Sequence, residues 1–152
     1  MTAEERAVGY FNEGYNCAQS SAAAFAEEAG LDPRTVLRVM AGFGGGVGGS
    51  REMCGAVSGM VFVLGLFCGG YGPHDDEAKT QFYQEVRGAL AEFREKFGTT
   101  CCKELLLKAG CLPKPDPAVR NAEYYAMRPC ACFVAEAARI AESRRRSDEP
   151  RD

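Results

Sequence analysis

Eight cysteines in a chain of 152 residues are the side chains best equipped for chemistry. They stand at positions 17, 54, 68, 101, 102, 111, 130 and 132. A thiolate is a nucleophile, a redox group and a soft metal ligand. None of the eight forms a Cys-x-x-Cys pair. That excludes the local signatures of zinc ribbons, thioredoxin-like sites, bacterial ferredoxins and covalent haem attachment. Any site that uses several of these cysteines has to be assembled by the fold. The first twenty residues hold neither a basic stretch nor an apolar one, so no secretory signal is expected. The expectation is a soluble, cytoplasmic chain. In a reducing compartment, surplus cysteines serve metals or catalysis more often than structural bridges. The plain alternative is that they fill the core as small apolar side chains.

Spacing narrows the choice. Cys54 and Cys68 lie 14 residues apart on one predicted helix, hence about 21 Å apart, so they cannot share a site. Neighbours Cys101 and Cys102 diverge on a helix, so one of them faces any given point. Cys130 and Cys132 would face nearly opposite sides. Four cysteines share a position near a predicted helix start. Cys17 follows Asn16, Cys54 follows a glycine-rich loop, Cys102 follows Thr99-Thr100, and Cys130 follows Pro129. Helix starts favour anions and lower thiol pKa values. Four thiolates from four helices could meet in one polar pocket. The backbone N–H groups of Gly44, Gly45 and Gly46 would then support the negative charge there.

The elements that must position these residues read as helices. Glu4 to Phe11 is a short one. Gly14-Tyr15-Asn16 is a turn, and Asn16 with Gln19 forms a capping-box pattern for a helix from Cys17 to Ala29, closed by Gly30. Asp32-Pro33 opens another that stops at Gly42. Six of the nine residues from Gly42 to Ser50 are glycine, a loop that needs positive φ or a close approach. Ser50 is a candidate cap for a helix to Cys68, on which Gly55 and Gly59 would admit a neighbouring backbone. A long helix from Glu77 to Phe97 carries a stripe of Phe82, Val86, Ala89, Leu90, Phe93 and Phe97, expected to face the core. Thr99-Thr100 opens a short helix to Lys108. Gly110 to Pro117, with three prolines, is a loop. A last helix starts at Ala118 or Pro129 and runs to Ser143. The expected architecture is all-α, one compact helical bundle over residues 1–143, with a charged tail over 144–152.

Several functions are argued against. A net charge of −3 and a pI near 5.3 do not suit a nucleic-acid binder. The longest apolar run, Met53 to Cys68, has 16 residues broken by Gly and Ser. A membrane span needs about 20, so it reads as a buried helix. Gly44-x-Gly46-x-x-Gly49 fits the dinucleotide fingerprint only on paper, because that motif follows a strand and here follows a helix. His74, the one histidine, reads as a surface residue. Arg144-Arg145-Arg146 reads as a solvated helix end.

The chain resembles the C-GCAxxG-C-C family of redox-active proteins. The resemblance rests on Gly14-Tyr15-Asn16-Cys17-Ala18-Gln19, then Gly42-Phe43-Gly44-Gly45-Gly46, then Cys54-Gly55-Ala56-Val57-Ser58-Gly59. Phe97-Gly98 with Cys102-Lys103-Glu104-Leu105-Leu106 follows, and Cys130-x-x-Phe133-Val134 closes the pattern. The family's four named cysteines fall on Cys17, Cys54, Cys102 and Cys130, the four already singled out by helix position. Relatives with selenocysteine imply thiol chemistry, and relatives beside electron-transfer modules imply an iron–sulfur cluster.

Three functions compete at this point. The first is an electron-transfer module whose 2Fe–2S cluster is held by Cys17, Cys54, Cys102 and Cys130, with a redox partner protein. Zinc could take the same four thiolates. The second is a metal-free thiol–disulfide oxidoreductase in which Cys54 attacks and Cys17, Cys102 or Cys130 resolves. The third is an interaction module whose cysteines only fill the core.

Overall fold

A computed structural model describes residues 1–146. The described residues form eight helices and no named strand. They are α1 (Ala3–Asn12), α2 (Cys17–Ala23), α3 (Pro33–Met40), α4 (Gly55–Cys68), α5 (Asp76–Phe97), α6 (Cys102–Lys108), α7 (Ala122–Met127) and α8 (Cys130–Arg146). The all-α expectation holds. None of these helices is long and apolar enough to cross a membrane.

Local sequence explains most helix starts. Thr2 and Glu5 form a capping box on α1, and Asn16 and Gln19 form the expected one on α2. Asp32 caps α3, with Pro33 in its first turn. Asp75 accepts from the Ala78 N–H at the head of α5. These bonds satisfy N–H groups that a helix start otherwise leaves unpaired.

The centre of the molecule is a close pair, α2 and α4. A Cβ added at Gly55 would fall 3.0 Å from the Ala18 nitrogen, and one at Gly59 would fall 1.9 Å from Ser21 Oγ and 3.1 Å from the Ala22 nitrogen. Position 55 therefore sits against 18, and position 59 against 22. Both numbers rise together, so the two helices run parallel with their starts at the same end. Ser21 Oγ ties the pair by donating to the Cys17 and Ala56 carbonyls, each 3.1 Å away. Around this pair, α8 packs on α1, α2, α4 and α5. The core holds Phe11, Phe25, Met60, Leu64, Phe93 and Ile140.

Several elements differ from expectation. The Ala-rich segment leaves α-helix after Ala23 and continues as tighter turns to Gly30. The Ala24 carbonyl there accepts a bond from Arg6 Nε of α1 at 2.8 Å. Ser50 does not cap α4, because residues 51–53 lie between it and the helix, Arg51 with φ +60°, and Cys54 itself is the N-cap. Of the stripe on α5 only Ala89 and Phe93 are buried. Phe82, Val86, Leu90 and Phe97 lie half-buried against the core, since α5 flanks the bundle rather than entering it. α8 runs three residues beyond the expected end at Ser143. Arg144 pairs with Glu85 and Glu92, and Arg145 with Glu28 and Glu142, so this is no simply solvated helix end. The rest of the expected tail, 147–152, lies outside the described residues.

Gly59→Ala should destabilise the fold by about 1–3 kcal/mol, the usual cost of overpacking a tight core. The added methyl meets the Ala18 carbonyl oxygen at 2.8 Å as well as Ser21 Oγ. Gly65→Ala, on the same helix with open space around it, is the control. Urea unfolding of both variants checks this, and equal midpoints would refute the close-packing account.

Candidate functional site

The parallel register of α2 and α4 has a direct consequence. If 55 sits against 18 and 59 against 22, then Cys54 sits beside Cys17. The remaining two cysteines arrive by separate routes. Residues 51–54 pair with 100–103 as a short antiparallel bridge centred on Met53 and Cys101. The Cys54 N–H donates to Thr100 O at 2.8 Å and the Cys102 N–H to Glu52 O at 2.5 Å. Side chains alternate along such a pairing. Met53 and Cys101 therefore face one side, and Cys54 and Cys102 the other. This selects Cys102 over Cys101. Cys130 is the first residue of α8, whose contacts with α2 and α4 bring it to the same end of the bundle.

All four cysteines line one cavity of about 550 Å³. Gly44, Gly45 and Gly46 line it too, together with Arg51, Arg120, Arg128 and Tyr124. The other four cysteines do not. Cys68 is at the far end of α4, Cys101 faces away, Cys111 is buried elsewhere in the core, and Cys132 is exposed. His74 is exposed as expected.

The glycine loop shapes one wall. Gly46 has φ +67°, and a Cβ there would meet the Glu52 nitrogen at 2.6 Å. The loop folds onto the 51–54 segment through Arg51 N–H to Gly45 O, 2.9 Å, and Glu52 N–H to Gly46 O, 2.8 Å. Only glycine combines that φ with that approach. The opposite wall comes from the segment after Gly110. The Arg51 guanidinium donates to the Lys114 carbonyl through Nε at 2.7 Å and through Nη2. Arg120 donates to the carbonyls of Phe11, 2.7 Å, and Tyr15, 2.8 Å, and lies over the Phe11 and Tyr124 rings.

The four thiols are not equivalent. Cys17 and Cys130 share a side-chain hydrogen bond. That bond, with Arg128 and Arg120 nearby, pulls the Cys130 pKa down to about 7 against the cost of burial. Cys17 holds the proton of the pair and is raised well above the ordinary thiol value. Burial pushes Cys54 up to about 12, although the backbone N–H groups of Ala56 and Val57 oppose the shift. Cys102 is raised by burial, with Arg51 Nη1 3.6 Å from its sulfur acting the other way. The expected order of acidity is therefore corrected. Cys54 is not the low-pKa thiol, because desolvation outweighs the first turn of α4. Cys130 is, because it has two arginines and a thiol donor. Sequence reasoning missed Arg51, Arg120 and Arg128. Each is an isolated basic residue in a polar stretch, with no spacing that marks it.

A metal or cluster was tested against this arrangement. Among the described residues, no group of three or more His, Cys, Asp or Glu side chains is disposed to hold a metal ion. The four cysteines share the cavity, and Cys17 and Cys130 interact there.

Alkylation with iodoacetamide should label Cys130 first among the four, with a rate that rises through about pH 7. A lowered pKa leaves the thiolate populated at neutral pH, where an ordinary thiol is mostly protonated. Arg128→Gln should move that midpoint upward. Peptide mass spectrometry across a pH series reads both effects. Faster labelling of Cys54 would overturn the assignment.

Comparison with known proteins bears on the whole chain. A family model described as "Putative redox-active protein (C_GCAxxG_C_C)" matches residues 15–144. An "Uncharacterized protein" from Archaeoglobus fulgidus is 38% identical over 112 residues, covering 68% of this chain and 73% of the relative. No solved structure matches. With the model spanning the cavity from Cys17 to Cys130, the chain belongs to the C_GCAxxG_C_C family of redox-active proteins.

Proposed function

We propose that the protein is a dithiol–disulfide redox protein working through Cys130 and Cys17. The observation that carries this reading is the placement of Cys17 and Cys130 on one cavity beside Arg128, where the two thiols interact. Thiol–disulfide exchange needs a thiolate to attack and a second thiol within reach to resolve. The Cys130 thiolate attacks one sulfur of an acceptor disulfide. The acceptor S–S bond breaks, and its other half leaves as a thiolate that takes a proton from solvent. Cys17 then attacks the mixed disulfide at Cys130, giving up its own proton to the second leaving thiolate. Two protein thiols become one disulfide, and one acceptor disulfide becomes two thiols. Arg128 and Arg120 favour the charged form of Cys130 at the start. Cys54, raised to about 12 by burial, stays a thiol and takes no part in the attack. That replaces the role expected for it from sequence.

A second reading is favoured by one feature, the convergence of all four cysteines on a cavity that also holds three arginines. Four thiolates around a 2Fe–2S cluster would carry negative charge that such a cavity would offset. This reading requires Cys17 to give up its proton, since a cluster ligand is a thiolate. The core-filling alternative suits cysteines dispersed in separate apolar pockets, not four on one cavity that three arginines also line.

The experiment has two arms. Reduced protein treated with a small disulfide should form a Cys17–Cys130 bond, read by mass spectrometry of peptides. Cys17→Ser should trap a mixed disulfide on Cys130, Cys130→Ser should block the reaction, and Cys68→Ser should change nothing. Anaerobic purification with iron and sulfide analysis is the other arm. Roughly equal iron and sulfide that depend on all four cysteines would overturn the dithiol reading in favour of the cluster.

A further inference from the structure

We infer that the cavity is an anion pocket and that the disulfide it takes is a small molecule bearing carboxylates, an inference that rests on the dithiol reading above. Three guanidiniums line the cavity, those of Arg51, Arg120 and Arg128, and no Asp or Glu does. Four arginines elsewhere behave differently. Arg6, Arg139, Arg144 and Arg145 each pair with at least one glutamate. Among the described residues, none of the three cavity arginines pairs with a carboxylate. The chain as a whole is acidic, with a net charge of −3, so the positive cavity is not a reflection of overall composition.

The guanidiniums are also fixed in place. Arg51 is held by the Lys114 carbonyl, and Arg120 by the carbonyls of Phe11 and Tyr15. Arg128 lies over the Tyr124 ring, 5.3 Å from its centroid. All three are only partly exposed, where salt screens a charge less than at the surface. One thiolate at Cys130 faces these three cations and leaves the pocket positive. Two bound carboxylates would balance the two positive charges that remain.

Size and depth point to a small molecule. A cavity of about 550 Å³ is in the range of small-ligand sites. Cys130 and Cys54 are 8% and 3% exposed, recessed from where a folded protein's disulfide would dock. Leu105, Leu106 and Phe133 supply apolar lining suited to the methylenes and sulfurs between charged ends. In the exchange step, a bond forms between Cys130 and one sulfur of this molecule. Its own S–S bond breaks and one half leaves as a carboxylate-bearing thiol; the attack of Cys17 on the mixed disulfide then releases the other.

The test compares oxidation of the reduced protein by three small disulfides. They are dithiodiglycolate, a dianion; bis(2-hydroxyethyl) disulfide, neutral; and cystamine, a dication. Each rate is divided by that of a simple free thiol with the same disulfide, which removes leaving-group differences. The dianion should be favoured over the neutral compound by about tenfold or more at low salt, with the dication least favoured. The preference should shrink as salt rises. Arg51→Gln should remove much of it and Arg51→Lys should keep it, thermal unfolding confirming that both variants are folded. Because Arg51 does not touch Cys130, a change in the ratio is not a change in the nucleophile.

Adipate, the carbon isostere of dithiodiglycolate, supplies a readout without redox chemistry. It should slow alkylation of Cys130 by iodoacetamide. Flat normalised rates with no adipate protection would overturn the anion pocket while leaving the dithiol reading intact. Adipate protection with no oxidation by any disulfide would overturn the dithiol reading and the substrate class together, and leave an anion pocket.

Discussion

The parallel contact of α2 with α4 is the constraint on which the site depends. Helices that follow closely in a chain more easily lie antiparallel, because a short loop returns the chain directly. Here α3 and the glycine loop lie between the two, and the chain comes back to start α4 level with the start of α2. Gly55 and Gly59 allow the backbones to approach, and Ser21 bonds across the gap to the Ala56 carbonyl. That register leaves Cys17 and Cys54 adjacent at one end. The glycine loop and the 51–54 segment must then fold over the same end, and the pairing with 100–103 delivers Cys102. Had α2 and α4 packed antiparallel, Cys54 would sit at the opposite end of the bundle from Cys17, where Cys68 sits now.

Convergence alone does not decide what the thiols do. Each sulfur is pulled one way by burial and another by its donors, and the balance differs at each. Cys54 has two backbone N–H groups but is almost wholly enclosed, so burial wins. Cys102 has a single long contact with Arg51, and burial still wins. Cys130 is similarly enclosed, yet it collects Arg128, Arg120 and the Cys17 thiol. At Cys130 the Cys17 thiol, joined by Arg128 and Arg120, outweighs burial, which neither the backbone N–H groups at Cys54 nor the guanidinium at Cys102 does. Four similar residues are thereby differentiated into one thiol of lowered pKa and three of raised pKa. The arginines that contribute lie on two segments, Arg51 on 51–54 and Arg120 with Arg128 on 110–129.

These facts mark what was legible in the sequence. Features carried by local chemistry could be read, such as the Asn16–Gln19 box, Asp32-Pro33, the Gly55/Gly59 spacing and the four cysteines near helix starts. Features set by distant partners could not. Ser50 has the right side chain for a cap, but residues 51–53 are drawn into pairing with 100–103, and Cys54 takes the cap position instead. The Ala-rich stretch after Ala23 has every local reason to stay helical, but the Ala24 carbonyl is taken by Arg6. The choice between Cys101 and Cys102 was argued from helical divergence. It is made by strand-like alternation, in a pairing too short to leave a periodic signal. The acidity of Cys130 was least accessible, because Arg120 and Arg128 acquire meaning only once the 110–129 segment lies over the cavity.

How the cavity arginines are held connects stability to chemistry. A guanidinium fixed by a carboxylate is positioned and neutralised at once, as Arg144 is by Glu85 and Glu92 on the outer face of α8. A guanidinium fixed by a backbone carbonyl is positioned but keeps its charge. Arg51 on Lys114 O and Arg120 on Phe11 O and Tyr15 O are of the second kind. These bonds also fasten the segment after Gly110 to α1 and to the glycine loop, where the approach of Gly49 to Pro115 leaves no room for a Cβ. The interactions that close the wall of the cavity are thus the ones that leave it positive. Replacing either set of carbonyl contacts by an ion pair would hold the wall equally well. It would also neutralise one of the three guanidiniums that line the cavity.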